Sequence, residues 1–252
     1  MSMLAITYIG HATTLIEFEG VTLLTDPNFG KRVFFAKRIE PLTYDPGKLP
    51  DLSAIVISHA HLDHLNISSF KYIKSSVPVF VPAGLGRFIS KFVKNPIIEL
   101  NHWATHKLPG GTEITATEAR HAGFRWTGLR YRQCNGYIMK STERVFFAGD
   151  TGYGQHFKEI GRLYAPLDAA ILPIGGYAPR CFMQKRHLNP AEALEAFTDL
   201  GARYMIPIHH GTFKLSTEKM TQPAEWLVRL SCERGLAEKL RIPKSGEKII
   251  LA

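Results

Sequence analysis

Between Ser58 and His64 the chain reads Ser58-His59-Ala60-His61-Leu62-Asp63-His64, which sets three imidazoles and a carboxylate close together. Neutral imidazole and carboxylate are donors that zinc, iron and manganese accept. With no thiolate in the run, a closed structural zinc site is disfavoured. His59 and His61 are two apart, so in extended chain they point the same way and can hold one metal. Asp63 and His64 follow once the chain has turned and can face a second. What must position them is the preceding stretch Ala54-Ile55-Val56-Ile57, apolar and rich in β-branched residues, which reads as a buried strand with the donors in the loop at its end.

Further donors stand in comparable places. His121 follows Ile114-Thr115-Ala116-Thr117, Asp150 ends Val145-Phe146-Phe147-Ala148-Gly149, and His209 and His210 follow Tyr204-Met205-Ile206-Pro207-Ile208. Taken singly, each has an ordinary explanation, since an Asp in a turn caps backbone amides and a lone His is commonly a surface residue. Placed after successive apolar runs, they can converge on the edge of a sheet where the strands' carboxyl ends lie, the usual place for a site in α/β proteins.

The order His59-x-His61-x-Asp63-His64, His121, Asp150, His209 resembles that of the metallo-β-lactamase superfamily. The surrounding motifs narrow the resemblance. Gly10-His11-Ala12-Thr13-Thr14, Leu24-Thr25-Asp26-Pro27, Phe147 to Tyr153, Leu172 to Tyr177, Pro179-Arg180 with Phe182-Met183, His187-x-Asn189-Pro190-x-Glu192-Ala193 and His209-His210-Gly211-Thr212-Phe213 are similar to one branch. That branch holds N-acyl-phosphatidylethanolamine-hydrolysing phospholipase D and its bacterial relatives.

The resemblance implies a four-layer αββα sandwich, an α/β fold, with metals at one edge. It assigns His59, His61 and His121 to one metal and Asp63, His64 and His209 to the other, with Asp150 bridging. Between the paired histidines, the branch pattern favours His209 as ligand and leaves His210 lining the substrate pocket. Two divalent cations are expected, zinc first, with manganese or iron as alternatives. The expected reaction is hydrolysis by a metal-bridging hydroxide, with Asp63 and His187 as the catalytic residues. His187 matches a substrate-facing histidine of the branch, though from its own surroundings it reads equally as a loop residue beside a helix cap. Tyr177 and Arg180 are candidate substrate contacts. His11 and Asp26 are expected one layer out, orienting ligands, although Asp26 can also cap its own Asp-Pro turn. Where the branch has His-Trp-Ser this chain has His121-Ala122-Gly123, so the metal chemistry carries over better than the lipid substrate. A phosphodiesterase is the leading expectation. A sugar-phosphate or acyl-homoserine lactonase, or a redox di-iron enzyme, is the alternative.

At 252 residues and 45% hydrophobic, the chain suits one α/β domain with an ample core. Strands are predicted at Leu4–Ile9, Thr14–Phe18, Val21–Thr25 and Ala54–Ile57, and helices at Asn66–Ser75, Leu85–Val93, Gln155–Tyr164, Pro190–Leu200 and Pro223–Arg234. Three scattered cysteines and a start without signal-peptide character point to the cytoplasm, and no run is long enough to span a membrane. Thirty-one Lys+Arg against 22 Asp+Glu give a net charge of +9. The basic residues cluster at Lys31, Arg32, Lys37 and Arg38 and at Arg120, Arg125, Arg130 and Arg132, with Phe29, Phe34, Phe35, Phe124, Trp126 and Tyr131 interleaved. Such walls suit a small or lipid-like anionic ester. No nucleic-acid module accompanies them, so no nucleic-acid partner is expected. Self-association stays open.

Overall fold

A computed structural model describes residues 4–122 and 133–251. The chain opens with β1 (Leu4–Gly10), β2 (Thr13–Phe18) and β3 (Val21–Thr25), then a small hairpin of β4 (Arg32–Val33) and β5 (Ala36–Lys37). β6 (Ala54–Val56), β7 (Val79–Pro82) and β8 (Ile97–Leu100) follow, with the short α1 (Gly86–Ile89) between the last two. The second half is built from β9 (Thr105–Lys107), β10 (Glu113–Glu118), β11 (Asn135–Lys140), β12 (Arg144–Phe147), β13 (Leu167–Pro173) and β14 (Ala202–Ile208). Among and after these lie α2 (His156–Tyr164), α3 (Arg180–Met183), α4 (Pro190–Leu200) and α5 (Gln222–Glu233), and β15 (Glu247–Leu251) returns to the first half.

The strands form a seven-stranded sheet, β15-β1-β2-β3-β6-β7-β8, and a six-stranded sheet, β14-β13-β12-β11-β10-β9. Strand periodicity explains the layering. Ala54 and Val56 of β6, with Ile6 and Tyr8 of β1, face Tyr137, Phe147, Ile171 and Ile206 of the other sheet and form the central core. The alternate residues Ile55 and Ile57 face Phe70, Phe88 and Ile89 on one outer side. Ala170 and Leu172 of β13 face Phe157, Leu194, Phe197 and Leu227 of α2, α4 and α5 on the other. The result is helix, sheet, sheet, helix, the αββα sandwich expected.

Two predicted helices are shorter than the sequence suggested. Over 66–75 only a 3-10 turn, Ile67–Tyr72, forms, stopped on one side by the Asn66 side chain accepting from the Ser69 amide. β-branched Ile67 and the Ser68-Ser69 pair propagate an α-helix poorly. In 85–93 the α-helical part is Gly86–Ile89. α4 by contrast is long and well begun. Asn189 accepts from the Glu192 amide, Glu192 returns the bond, and Pro190 sits in the first turn. No helix among the described residues is long and apolar enough to cross a membrane.

Strand direction fixes where loops emerge. β3, β6 and β7 run parallel, as do β12, β13 and β14. β1 is antiparallel to β2, which is antiparallel to β3, and β10 reaches β12 through antiparallel β11. The carboxyl ends of β1, β3, β6, β10, β12 and β14 therefore lie at the same end of their sheets.

Candidate metal centre

Each of those strand ends delivers a donor. His11 follows β1, Asp26 follows β3, His59 to His64 follow β6, His121 follows β10, Asp150 follows β12 and His209 follows β14. Their donor atoms gather into groups in which all lie within 4.8 Å of one another. One is His59, His61, His121 and Asp150, another His11, Asp63, His64 and His209, and a third Asp150, His187 and His209. Asp150 lies between the first two. Its Oδ2 is 3.8 Å from His59 Nε2, 3.9 Å from His121 Nε2 and 3.3 Å from His64 Nε2, and its Oδ1 is 3.4 Å from His209 Nε2. The backbone is strained to achieve this. His11, Asp26 and His209 have positive φ of 58°, 33° and 60°, conformations that non-glycine residues rarely adopt away from functional sites.

The hydrogen bonds behind the rings decide which nitrogen faces the centre. Asp26 Oδ2 accepts from His64 Nδ1 at 2.7 Å and from the Ser58 hydroxyl at 2.6 Å, while Oδ1 accepts from the Ser58 amide at 2.7 Å. The Ser58 proton being committed to Asp26, its oxygen accepts from His59 Nδ1 at 2.9 Å. His121 Nδ1 donates to the Arg186 carbonyl at 2.9 Å. These acceptors occupy Nδ1 of His59, His64 and His121 and leave Nε2 of each ring facing inward, with His59 and His121 held neutral by burial. His61 Nδ1 lies 2.8 Å from His59 Nε2 and 3.1 Å from His121 Nε2, and one ring proton cannot serve both. Converging bare lone pairs of this kind fit a cation.

The electrostatics agree. Burial, then the neighbouring rings, push His59 well below its ordinary pKa, and burial takes His61 down to about 4 and lowers His121. Burial opposes ionisation of Asp63 and Asp150, but surrounding histidines outweigh it and hold both carboxyls well below the usual range. His64 and His209 move up, because Asp150 and Asp63 overcome their burial. Buried His64 Nε2, Asp150 Oδ1, His187 Nδ1 and His209 Nε2 have no hydrogen-bond partner. Buried polar atoms are normally satisfied, so this electron-rich cluster has the donor chemistry that suits a cation.

The other predicted residues sit around it. His11 Nε2 donates to Asp63 Oδ2 at 2.9 Å, and its ring lies 4.2 Å from that of His209. His187 Nδ1 is 3.8 Å from Asp150 Oδ2, and burial lowers its pKa to about 3. His210 turns away, stacking on Tyr8 at 6.3 Å, and joins His11, Gly176, His209, Phe213 and Met220 in lining a pocket beside the centre. Tyr177 is buried with its hydroxyl unpartnered. The Arg180 guanidinium donates to the His187 carbonyl at 2.9 Å and pairs with Glu192, which ties it to the His187 loop. In the second basic cluster Arg120 bonds the Tyr153 carbonyl at 2.6 Å. Arg125, Arg130 and Arg132, with Phe124, Trp126 and Tyr131, lie outside the described residues. Sequence reading missed Ser58, which joins Asp26 to His59, the Arg186 carbonyl, and Glu218, which accepts from the Gly176 amide at 2.6 Å.

Residues 22–210 match the beta-lactamase superfamily domain. The chain belongs to that family. Among relatives of this superfamily member, the N-acyl-phosphatidylethanolamine-hydrolyzing phospholipase D 1 of Caenorhabditis elegans is 37% identical over 89% of this chain and 68% of its own. A metal-dependent hydrolase of Rubrobacter xylanophilus is 32% identical over 97% of this chain and 95% of its own. In fold, a metallo hydrolase from Ignicoccus hospitalis superposes with a TM-score of 0.77, covering 99% of each chain at 24% identity.

Proposed function

We propose that this metal-dependent hydrolase is a phosphodiesterase acting on a small or lipid-like anionic ester. The observation that carries the reading is the 37% identity to a phospholipase D across 89% of the chain, joined to a donor set of the required chemistry. His59, His61 and His121 would hold one cation and Asp63, His64 and His209 the other, with Asp150 shared. Two bound divalent ions would supply a nucleophilic water at neutral pH and stabilise charge growing on the substrate oxygens. Zinc suits the imidazole and carboxylate donors, and manganese or iron would also be accepted.

The chain's own work is orientation and proton handling. Asp26 and Ser58 hold the His59 and His64 rings so that Nε2 faces inward. Asp63, held by His11, keeps its charge in the buried site. His187 is neutral near pH 7, and its Nδ1 is buried, without a hydrogen-bond partner and 3.8 Å from Asp150 Oδ2. It can therefore bind or exchange a proton with a substrate oxygen, a role worth about 10² to 10⁴ in rate. His187→Ala should lower kcat/KM by that order with metal content unchanged. Loss of metal would make His187 a ligand instead.

The deciding assay compares phosphodiesters with neutral lactones of similar size on zinc-, manganese- and iron-loaded enzyme. Preference for the phosphodiester, with kcat/KM falling as salt rises, is expected. A clear preference for lactones would assign the site to a lactonase, and a visible iron chromophore with oxygen-dependent turnover would assign it to a redox enzyme.

A further inference from the structure

The β4–β5 hairpin is a two-stranded sheet of its own, outside both layers of the sandwich. Its turn is Phe34-Phe35. Phe35 is 96% exposed and Phe34 62%. Phe34 also has a φ of 49°, in a two-residue turn where Asn or Gly would adopt that conformation without strain. The chain thus accepts both backbone strain and wet aromatic surface to keep two phenyl rings at this tip. Behind them Lys31, Arg32 and Lys37 are exposed, and from Asn28 to Ile39 there is no acidic side chain. Beside the hairpin, Tyr72 packs against Phe29 and is 41% exposed, with Lys71 Nζ 4.8 Å above its ring.

The hairpin's base is fastened to the rim of the metal centre. Arg38 donates to the Gly30 and Asn28 carbonyls at 2.9 and 2.7 Å, and its guanidinium lies 4.7 Å over the Phe213 ring. The Ile39 amide donates to the Thr212 carbonyl at 2.8 Å, in the loop that follows His209. Phe213 in turn packs 5.3 Å from His11. The tip is therefore held in a defined position relative to the site.

We propose that this hairpin docks the enzyme on an anionic lipid bilayer, with Phe34 and Phe35 entering the boundary between headgroups and acyl chains and Lys31, Arg32 and Lys37 meeting the lipid phosphates. A two-residue tip is too narrow for a stable protein interface, which needs about 800 Å² from each partner. A bilayer requires only apolar depth and opposite charge. A second copy of this chain would bring like charges together. Docking would place the metal centre at the lipid surface, which matters to catalysis if the substrate is lipid-like as proposed above, but the binding itself is independent of turnover.

The test is flotation of the full, metal-loaded chain with vesicles of phosphatidylcholine alone or containing a minority of phosphatidylglycerol. The native protein should float with the anionic vesicles and about ten-fold or more weakly with neutral ones. Each cation reversed should cost about five-fold or more in partitioning, so Lys31→Glu with Lys37→Glu should cost about 25-fold. Phe34→Ser with Phe35→Ser should lower partitioning about ten-fold or more while leaving circular dichroism and Tm unchanged. Failure of the native protein to float, or full binding by the Phe variant, overturns the proposal. So does a dimer in sedimentation that the Phe variant dissolves, since the tip would then belong to an interface between copies. Vesicle binding with no phosphodiester turnover would sink the phosphodiesterase reading and leave the docking standing.

Discussion

Asp26 illustrates how much of this site depends on side chains that never face its centre. It accepts the Ser58 amide, the Ser58 hydroxyl and His64 Nδ1 at once, so it sets the tautomers of His64 and, through Ser58, of His59. Asp26→Asn puts an amide donor among these donors. Metal affinity, read by chelator competition, should fall about 10- to 100-fold with the fold intact, and unchanged affinity would show that the rings are oriented by something else. Asp150→Asn should differ: most turnover is lost because the shared charge is gone, while the turn tolerates Asn. Near-normal kcat with full metal would refute its place between the groups. The donors were legible in the sequence because His and Asp announce their chemistry and each follows an apolar run. Ser58 was not, since a serine at a strand end is ordinary, and only the parallel pairing of β3 with β6, Thr25 opposite Val56, brings it to Asp26. The Arg186 carbonyl was not either, because every residue has one.

Among the elements, the parallel pair β13 and β14 shows why the loops after strands are tightly specified. Pro173 pairs with Ile208, and a Cβ on the following Gly175 would stand 2.1 Å from the His209 carbonyl oxygen. Gly175→Ala should therefore destabilise the protein by about 1–3 kcal/mol or more, read by urea unfolding, and lower metal occupancy by displacing His209. An unchanged midpoint and metal content would mean that the loop yields easily. α4 carries a milder case. Asn189→Ala removes the cap and should cost about 0.5–2 kcal/mol. It should also lower kcat/KM without metal loss, because the Arg180–Glu192 pair that holds His187 hangs on the same turn. That helix was readable from Asn189, Pro190 and Glu192. The segments at 66–75 and 85–93 were overread, since their apolar spacing serves packing on the sheet as well in a single turn as in a helix.

Across the whole molecule, acid sensitivity follows from so many buried neutral rings. Burial, first among the causes, takes His11 and His187 to about 3 and His61, His156 and His210 to about 4, against about 6.5 in the unfolded chain. Between those values the unfolded chain binds protons that the folded one refuses, so stability falls with pH, by up to about 1.4 kcal/mol per unit for each ring. His64 and His209, raised above 6.5, act oppositely, contributing stability that is fully present below 6.5 and lost as pH rises through their folded values. Two rings stand against these five, with His59 and His121 lowered besides. Asp63 and Asp150, held low, add stability that is lost only at still lower pH. The Tm of chelator-treated protein should therefore drop steadily from pH 6.5 toward 4. Metal-loaded protein should start higher and drop more steeply, because protons then compete with cations for the same nitrogens. Calorimetry on both forms across that range decides it: a metal-free Tm that holds or rises on acidification would mean that the rings are charged in the folded state, and the inward lone pairs on which the metal assignment rests would not exist.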